Sequence, residues 1–290
     1  MNDIKKYIFW GFFIVLSCNM ANAQIKIPRM TNLRTDTLEK KIIDNAKYRV
    51  YYSLEFAKDS LYPQDKTKGQ TILFIGSKYN KFIDYNMYRK DSIYDALAKI
   101  KANQNEILAQ LLPIGRLIIF NPVVTANYTT KGNYYIQQAV TSRSKYAYDD
   151  KNVQIKWDLV GQERIINGYK CKKAICKFRG REYIAWYATN LPINAGPYLF
   201  SGLPGLILEI QDTKNNYSFK INGLVNVKDN DPIYILTDNI VQTDRNQVRK
   251  AVDNLKKDPA SILKSMGNAK VDPAVLAKLK PKPHNPIELE

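Results

Sequence analysis

Along most of this chain apolar and polar residues alternate with a period of two, the signature of strands that bury one face. YRVYYSLEF, residues 48–56, is the clearest run. After the polar stretch KDSLYPQDKTKG, the run QTILFIGSKYNKFIDYNMYR predicts a hairpin or meander that breaks near Gly76-Ser77 and Tyr79-Asn80. Further strands are predicted in RLIIFNPVV, NYYIQQAVT, KYAYDD, VQIKWDLVG and QERIINGYKCKKAICKF. REYIAWYA returns from a tight turn at Arg179-Gly180. That turn sets a register in which Lys177 faces Glu182, Cys176 faces Tyr183, Ile175 faces Ile184 and Ala174 faces Ala185, so that opposite charges and like sizes meet. LILEIQD and YSFKINGLVNVK form a last hairpin around TKNN.

Two segments depart from this period. Residues 91–112 carry Ile93, Leu97, Ile100, Ile107, Leu108, Leu111 and Leu112 at helical spacing. Asp91 or Ser92 is the expected cap, and Pro113 and Gly115 the expected stop. After Val241, TDRNQVRKAVDNLKKD predicts an amphipathic helix capped by Thr243 or Asp244. Two short helical pieces beginning at Pro259 and Pro273 follow, then the tail PKPHNPIELE, expected to be extended and mobile. The fold class expected is mainly β: a curved antiparallel sheet or half-barrel in one domain, residues 24–242. It carries an inserted helix at about 91–112 and a helical, Pro-rich C-terminal tail over 243–290.

The first residues change the picture of where this protein works. Lys5 and Lys6 precede an apolar run from Tyr7 to Ser17, too short to span a bilayer comfortably, and Ala21-Asn22-Ala23 fits signal-peptide cleavage before Gln24. The alternative, a lipid anchor on Cys18 within Val15-Leu16-Ser17-Cys18, is disfavoured by Leu16 next to the small residue. The expectation is a periplasmic or outer-membrane-associated protein, soluble after cleavage. The formal charge of +17 suits anionic envelope surfaces, against the simpler reading that scattered lysines solubilise a β-rich surface. The chain has no nucleic-acid-binding module, and export argues against that partner.

Candidate chemistry is sparse. The one histidine, His284, lies in the Pro-rich tail, a poor place for a zinc site, a Ser-His-Asp triad or a Cys-His dyad. Asp149-Asp150 and Asp229 with Asp231 sit in turn-like settings, not across a cleft as paired catalytic acids must. Cys171 and Cys176 are five apart in a predicted strand, about 17 Å at ~3.3 Å per residue. They should face opposite sides and remain unbridged, packing as small apolar groups. As a soft-metal pair they are weak candidates for Cu(I). No cofactor and no enzymatic activity are expected.

The stretch from Gly168 to Asp212 carries a resemblance. Its parts are GYKCKKA at 168–174, Arg179-Gly180-Arg181 with Ala185-Trp186-Tyr187, Leu191-Pro192-Ile193 with Gly196-Pro197, and Gly202-Leu203-Pro204-Gly205-Leu206-Ile207. They resemble the hallmark of the GLPGLI family, exported proteins typical of Bacteroidetes and named for that hexapeptide. The ending NPIELE is similar to the family's usual C-terminus. The resemblance implies a periplasmic or outer-membrane-associated protein. It supplies no established activity and no catalytic residues to carry over.

Within that stretch, Arg179 and Arg181 beside Trp186, Tyr187 and Phe200 are the candidate ligand-binding residues, as forked anion donors among aromatic rings. Against this stands a solvated turn with a cross-strand ion pair. Residues 189–205 form a long connection with apolar anchors, expected to cap the open end of the sheet rather than act as a lid. Leu203-Pro204-Gly205-Leu206 reads as a type II turn, with Gly205 at positive φ. Gly202, Pro204 and Gly205 are thus a structural corner. The expected function is a non-enzymatic binding or carrier protein for a lipid-like or peptide ligand. The alternative is an accessory module docking to an outer-membrane receptor or transporter, with copper handling a third reading.

Overall fold

In a computed structural model, residues 36–127, 132–140, 145–260 and 278–290 are described. The predicted signal peptide, Cys18 and most of the predicted helical pieces after Pro259 and Pro273 fall outside these residues. Fourteen strands and three helices are present among the described residues. In chain order they are β1 Lys40–Asn45, β2 Tyr48–Ala57, β3 Lys66–Ile75, β4 Tyr79–Asp84, α1 Tyr85–Lys99, α2 Gln104–Arg116, β5 Pro122–Asn127, β6 Tyr134–Ala139, β7 Lys145–Asp150, β8 Asp158–Ile166, β9 Tyr169–Phe178, β10 Arg181–Ala188, β11 Leu206–Asp212, β12 Tyr217–Asn226, β13 Pro232–Leu236, β14 Ile240–Gln242 and α3 Arg245–Lys257. None of the helices described is long and apolar enough to cross a membrane.

Twelve strands make one sheet in the order β14-β7-β6-β5-β4-β3-β2-β12-β11-β10-β9-β8, and β1 pairs with β13 separately. All neighbours in the large sheet are antiparallel except β14 and β7. The predicted register around Arg179-Gly180 is the one found: Lys177 with Glu182, Cys176 with Tyr183, Ile175 with Ile184, Ala174 with Ala185. Arg179 and Gly180 both have positive φ, as a two-residue hairpin loop requires. The sheet does not close, but it curls far enough that Arg179, between β9 and β10, reaches Asp150 at the end of β7 at 2.5 Å.

The inner face gathers the main core. Tyr52 and Leu54 of β2, Leu73 of β3, Phe82 of β4, Ile136 of β6 and Phe219 of β12 lie there fully buried. The connection 189–205 fills the interior of the curl with Tyr198, Leu199, Phe200 and Leu203, each at most 6 % exposed. It is a plug of core. Ile72, Phe74 and Ile83 on the other face form a smaller core with Ile233 of β13, Tyr85 and Tyr88.

Several expectations need correction. The helical segment is two helices, not one over 91–112. The first begins seven residues earlier than Asp91–Ser92 because buried Asp84 caps it, accepting from the amides of Asn86 at 2.8 Å and Met87 at 3.3 Å. The second carboxylate oxygen of Asp84 accepts from Ile119 and Phe120, 3.0 and 3.1 Å, tying the exit of the insertion to its entry. Lys101, in the left-handed region, breaks the chain, and an Asn103–Glu106 capping box restarts it. Pro113 lies inside α2 instead of ending it. RLIIF is not strand; β5 starts only at Pro122.

The corner at Gly205 is of another kind. Gly202, not Gly205, has positive φ (+99°), so no type II turn is formed at Leu203–Leu206. Gly205 is required by space: a Cβ there would stand 2.2 Å from the carbonyl oxygen of Ala188. The tail is corrected as well. Asn285, Ile287 and Glu288 are buried against the sheet.

Candidate functional site

Arg179 and Arg181 hold the last residues of the chain. Arg181, at the start of β10, is 7 % exposed. Its guanidinium meets Asp212 of β11 at 3.2 Å, and donates to Asn285 Oδ1 at 2.5 Å, Pro286 O at 2.6 Å and Ile287 O at 3.1 Å. Tyr183 and Tyr217 hydroxyls donate to Ile287 O (3.0 Å) and Asn285 O (2.7 Å). The Asn285 amide donates to Ala57 O and Asn216 Oδ1, 2.9 and 2.8 Å. Asp212 in turn accepts from the amides of Asn216 and Tyr217, 2.5 and 2.6 Å, so the β11–β12 turn and the arginine orient one another.

One residue further on, Glu288 sits between two arginines. It pairs with Arg179, and with Arg245 of α3 at 2.7 Å, while Tyr198 donates to it at 2.7 Å. Burial opposes the charge on Arg179, but the flanking Glu288 and Asp150 outweigh it and hold its pKa above the ordinary value. Burial, followed by the Glu288 charge, pushes the Tyr198 hydroxyl well up, so it is a permanent donor. Leu289 N donates to Arg179 O at 2.9 Å, and Arg245 also donates to Glu290 O.

Beside this tail lies a cleft of about 200 Å³. Phe56, Phe120, Tyr148, Tyr198 and Tyr217 give it aromatic walls; α3 and the tail close one side. Lys58, Arg249 and Lys256 lie at its rim. Burial lowers the pKa of Lys256, and neighbouring Lys282 and Lys58 lower it further. Three ammonium groups thus crowd together, and none has an ion-pair partner among the described residues. The carboxylate at this rim, Asp253, is occupied by His284 Nδ1 at 2.8 Å. Burial lowers the His284 pKa more than Asp253 restores it.

The residues singled out from sequence are not one site. Arg179 and Arg181 meet around the tail, and Phe200 packs in the core behind them, edge-on to Tyr183 with centroids 4.6 Å apart. Phe200 is 1 % exposed, filled in by its neighbours, and Tyr187 is buried beneath Gly205. Trp186 lies on the opposite face of β10, where Arg164 covers its ring at 4.2 Å. Cys171 and Cys176 are both buried and unbridged. Burial raises both thiols, Cys176 to about 12. They share one core, contrary to the opposite faces expected. The alternation slips at Lys172–Lys173, opposite a bulge in β8 between Val160 and Glu163, and the β10–β11 register shifts at the same level, at Leu208 of β11. No cluster of three or more metal-ligating groups exists among the described residues. Sequence reasoning missed Asn285, Glu288, Arg245, Lys58 and Lys256. The ending NPIELE was the available signal for the first two.

Comparisons with known proteins add a family and a distant likeness. No curated protein matches the chain. Two crystal forms of PNGF-II, in space groups P21 and C2, are similar in structure at 14 % identity, with TM-scores of 0.48 and 0.47. They cover 71 % of this chain, and the chain spans about a third of theirs, 33 % and 32 %. Residues 179–209, from the hallmark arginine turn through the Gly202–Ile207 corner into β11, match the model of a family described as protein of unknown function, Porph_ging.

Proposed function

We propose that this is an exported, GLPGLI-type envelope protein that binds a small amphipathic anion in the cleft between the curled sheet, α3 and the tail. The observation that carries this reading is the pair of uncompensated lysines, Lys58 and Lys256, at an aromatic-walled cleft, with Lys282 beside Lys256. Like charges brought together without a counter-ion repel, and an anion relieves that repulsion while its apolar part enters the cleft. The size supports a short-chain or single-ring ligand. Full-length lipid tails fit poorly, since pockets for drug-sized ligands begin at about 300 Å³ and the interior of the curl is filled by Leu199, Phe200 and Leu203.

Calorimetric titration with octanoate and with octanol tests this. Octanoate is expected to bind in the micromolar range and to weaken about tenfold in a Lys58→Glu/Lys256→Glu chain, with added salt acting in the same direction. Equal binding of octanol, or no binding of octanoate, would overturn it.

A further inference from the structure

We propose that the groove formed by the β9–β10 turn, β12 and α3 is a peptide-recognition site for an extended Asn-Pro-Ile-Glu sequence, occupied here by the chain's own C-terminus. A tail that merely covers a core docks by apolar side chains. Here only Ile287 does that, and the rest of the segment is read through directional polar contacts.

The Asn285 amide is read at both ends: Arg181 donates to its oxygen, while Ala57 O and Asn216 Oδ1 accept from its nitrogen. An aspartate could not donate, and a glutamine would overreach. Three consecutive main-chain carbonyls, those of Asn285, Pro286 and Ile287, each accept from a buried side chain of the sheet. Pro286 suits such a site twice over. It has no N–H to leave unsatisfied, and its fixed φ lowers the entropy lost on docking. Glu288 is then held by Arg179, Arg245 and Tyr198. The next amide, Leu289 N, adds a strand-like bond to Arg179 O. Side-chain pockets combined with main-chain hydrogen bonds are how extended peptides are selected.

The donors that read the peptide belong to the sheet, its β9–β10 turn, the 189–205 connection and α3, and they remain when the peptide leaves. Arg181 then keeps only Asp212, and Tyr183 and Tyr217 keep no acceptor among the described residues. Such a groove favours refilling by any chain that supplies the same groups, because buried donors left unmade are costly. The tether sets the competition. At an effective concentration on the order of millimolar, the chain's own tail outcompetes a free peptide of about 10 μM affinity roughly a hundredfold.

The test uses the full chain carrying Asn285→Ala and Glu288→Ala, and a fluorescent peptide spanning Lys282–Glu290. The labelled peptide is expected to bind this chain in the micromolar range and the wild-type chain about a hundredfold more weakly. A peptide with the same two substitutions should bind at least about tenfold more weakly than the natural one. Equal binding of the two peptides, or no binding to the folded variant, would overturn the proposal. If the variant does not fold, a protease site placed between residues 261 and 277 of the otherwise natural chain replaces it. After cleavage the labelled peptide should displace the cut tail. A tail that never exchanges is part of the fold and not a ligand, and that result also overturns the proposal.

Discussion

Two glycines three residues apart in sequence, Gly202 and Gly205, meet quite different constraints. Gly202 is needed for its backbone angle. At φ +99° an alanine is strained by about 1–2 kcal/mol, and its Cβ meets nothing closer than Trp157 Nε1 at 3.3 Å. Gly205 lies outside the left-handed region but has no room, since a Cβ there would meet the carbonyl of Ala188 and the ring of Tyr187. Overpacking against main chain costs more than against a side chain that can swing away. Gly205→Ala is therefore expected to destabilise the fold by about 3 kcal/mol or more, and Gly202→Ala by less, in denaturant unfolding. The reverse order would mean that the backbone around Gly205 yields to the added Cβ. The two thiols are a second case. Both are buried, and burial pushes both pKa values up, Cys176 to about 12. Reactivity belongs to the thiolate, so neither should be alkylated by a maleimide at pH 8 in the native protein, and both should be in denaturant.

At the scale of elements, the most legible feature was the β9–β10 hairpin. Its turn residues and its pairing of like sizes fix the register locally, and nothing distant competes. The helices were half legible: the Asn103–Glu106 box is written in four residues, but the start at Asp84 is not. Tyr85–Lys99 buries little more than Leu97 and Ala98, so its apolar pattern is faint. Its cap is recognisable only once Ile119 and Phe120 have folded back onto the same carboxylate. The tail was illegible for a related reason. Its partners, Arg181, Tyr183 and Tyr217, lie far away in sequence, and a Pro-rich ending without that knowledge reads as solvent-exposed chain. Contact strength at this scale follows burial. The Arg181–Asp212 pair is 4 % and 2 % exposed, whereas Arg164, paired with Glu209 on the outer face, is 41 % exposed. Arg181→Met leaves Asp212 buried without its counter-ion and should cost about 3–5 kcal/mol, while Arg164→Met should cost under about 1 kcal/mol, both read from urea unfolding.

At the scale of the molecule, the outer face of the sheet is covered around β3 and β4 by a smaller core, and that cover encloses a lysine. Lys81 of β4 is 3 % exposed, with its ammonium 3.5 Å from the ring centre of Tyr234 on β13. Burial lowers its pKa to about 7; Asp91 opposes the shift and Lys40 adds to it. Asp91 of α1 accepts from the Tyr234 hydroxyl at 3.1 Å, and burial raises its pKa despite Lys81, Lys40 and Lys145. Lys40 itself pairs with Asp95, which completes the groups facing this layer. The sign follows from which state binds more protons. Between about pH 7 and the ordinary lysine value near 10.5, the unfolded chain keeps Lys81 protonated and the folded chain does not. Stability therefore rises with pH across that window, by on the order of a few kcal/mol. Asp91 acts at lower pH and in the opposite sense. Its raised pKa makes the folded state bind the extra proton, so its destabilising effect fades as pH falls through the folded value. Lys81→Met should accordingly be more stable than the wild-type chain at pH 7, and the advantage should shrink towards pH 10. Unfolding free energies measured at pH 7, 8.5 and 10 decide it: a wild-type chain whose stability falls over that range, or a Lys81→Met chain with the same pH slope, would mean that the buried ammonium keeps its proton by drawing Asp91 into a charged pair.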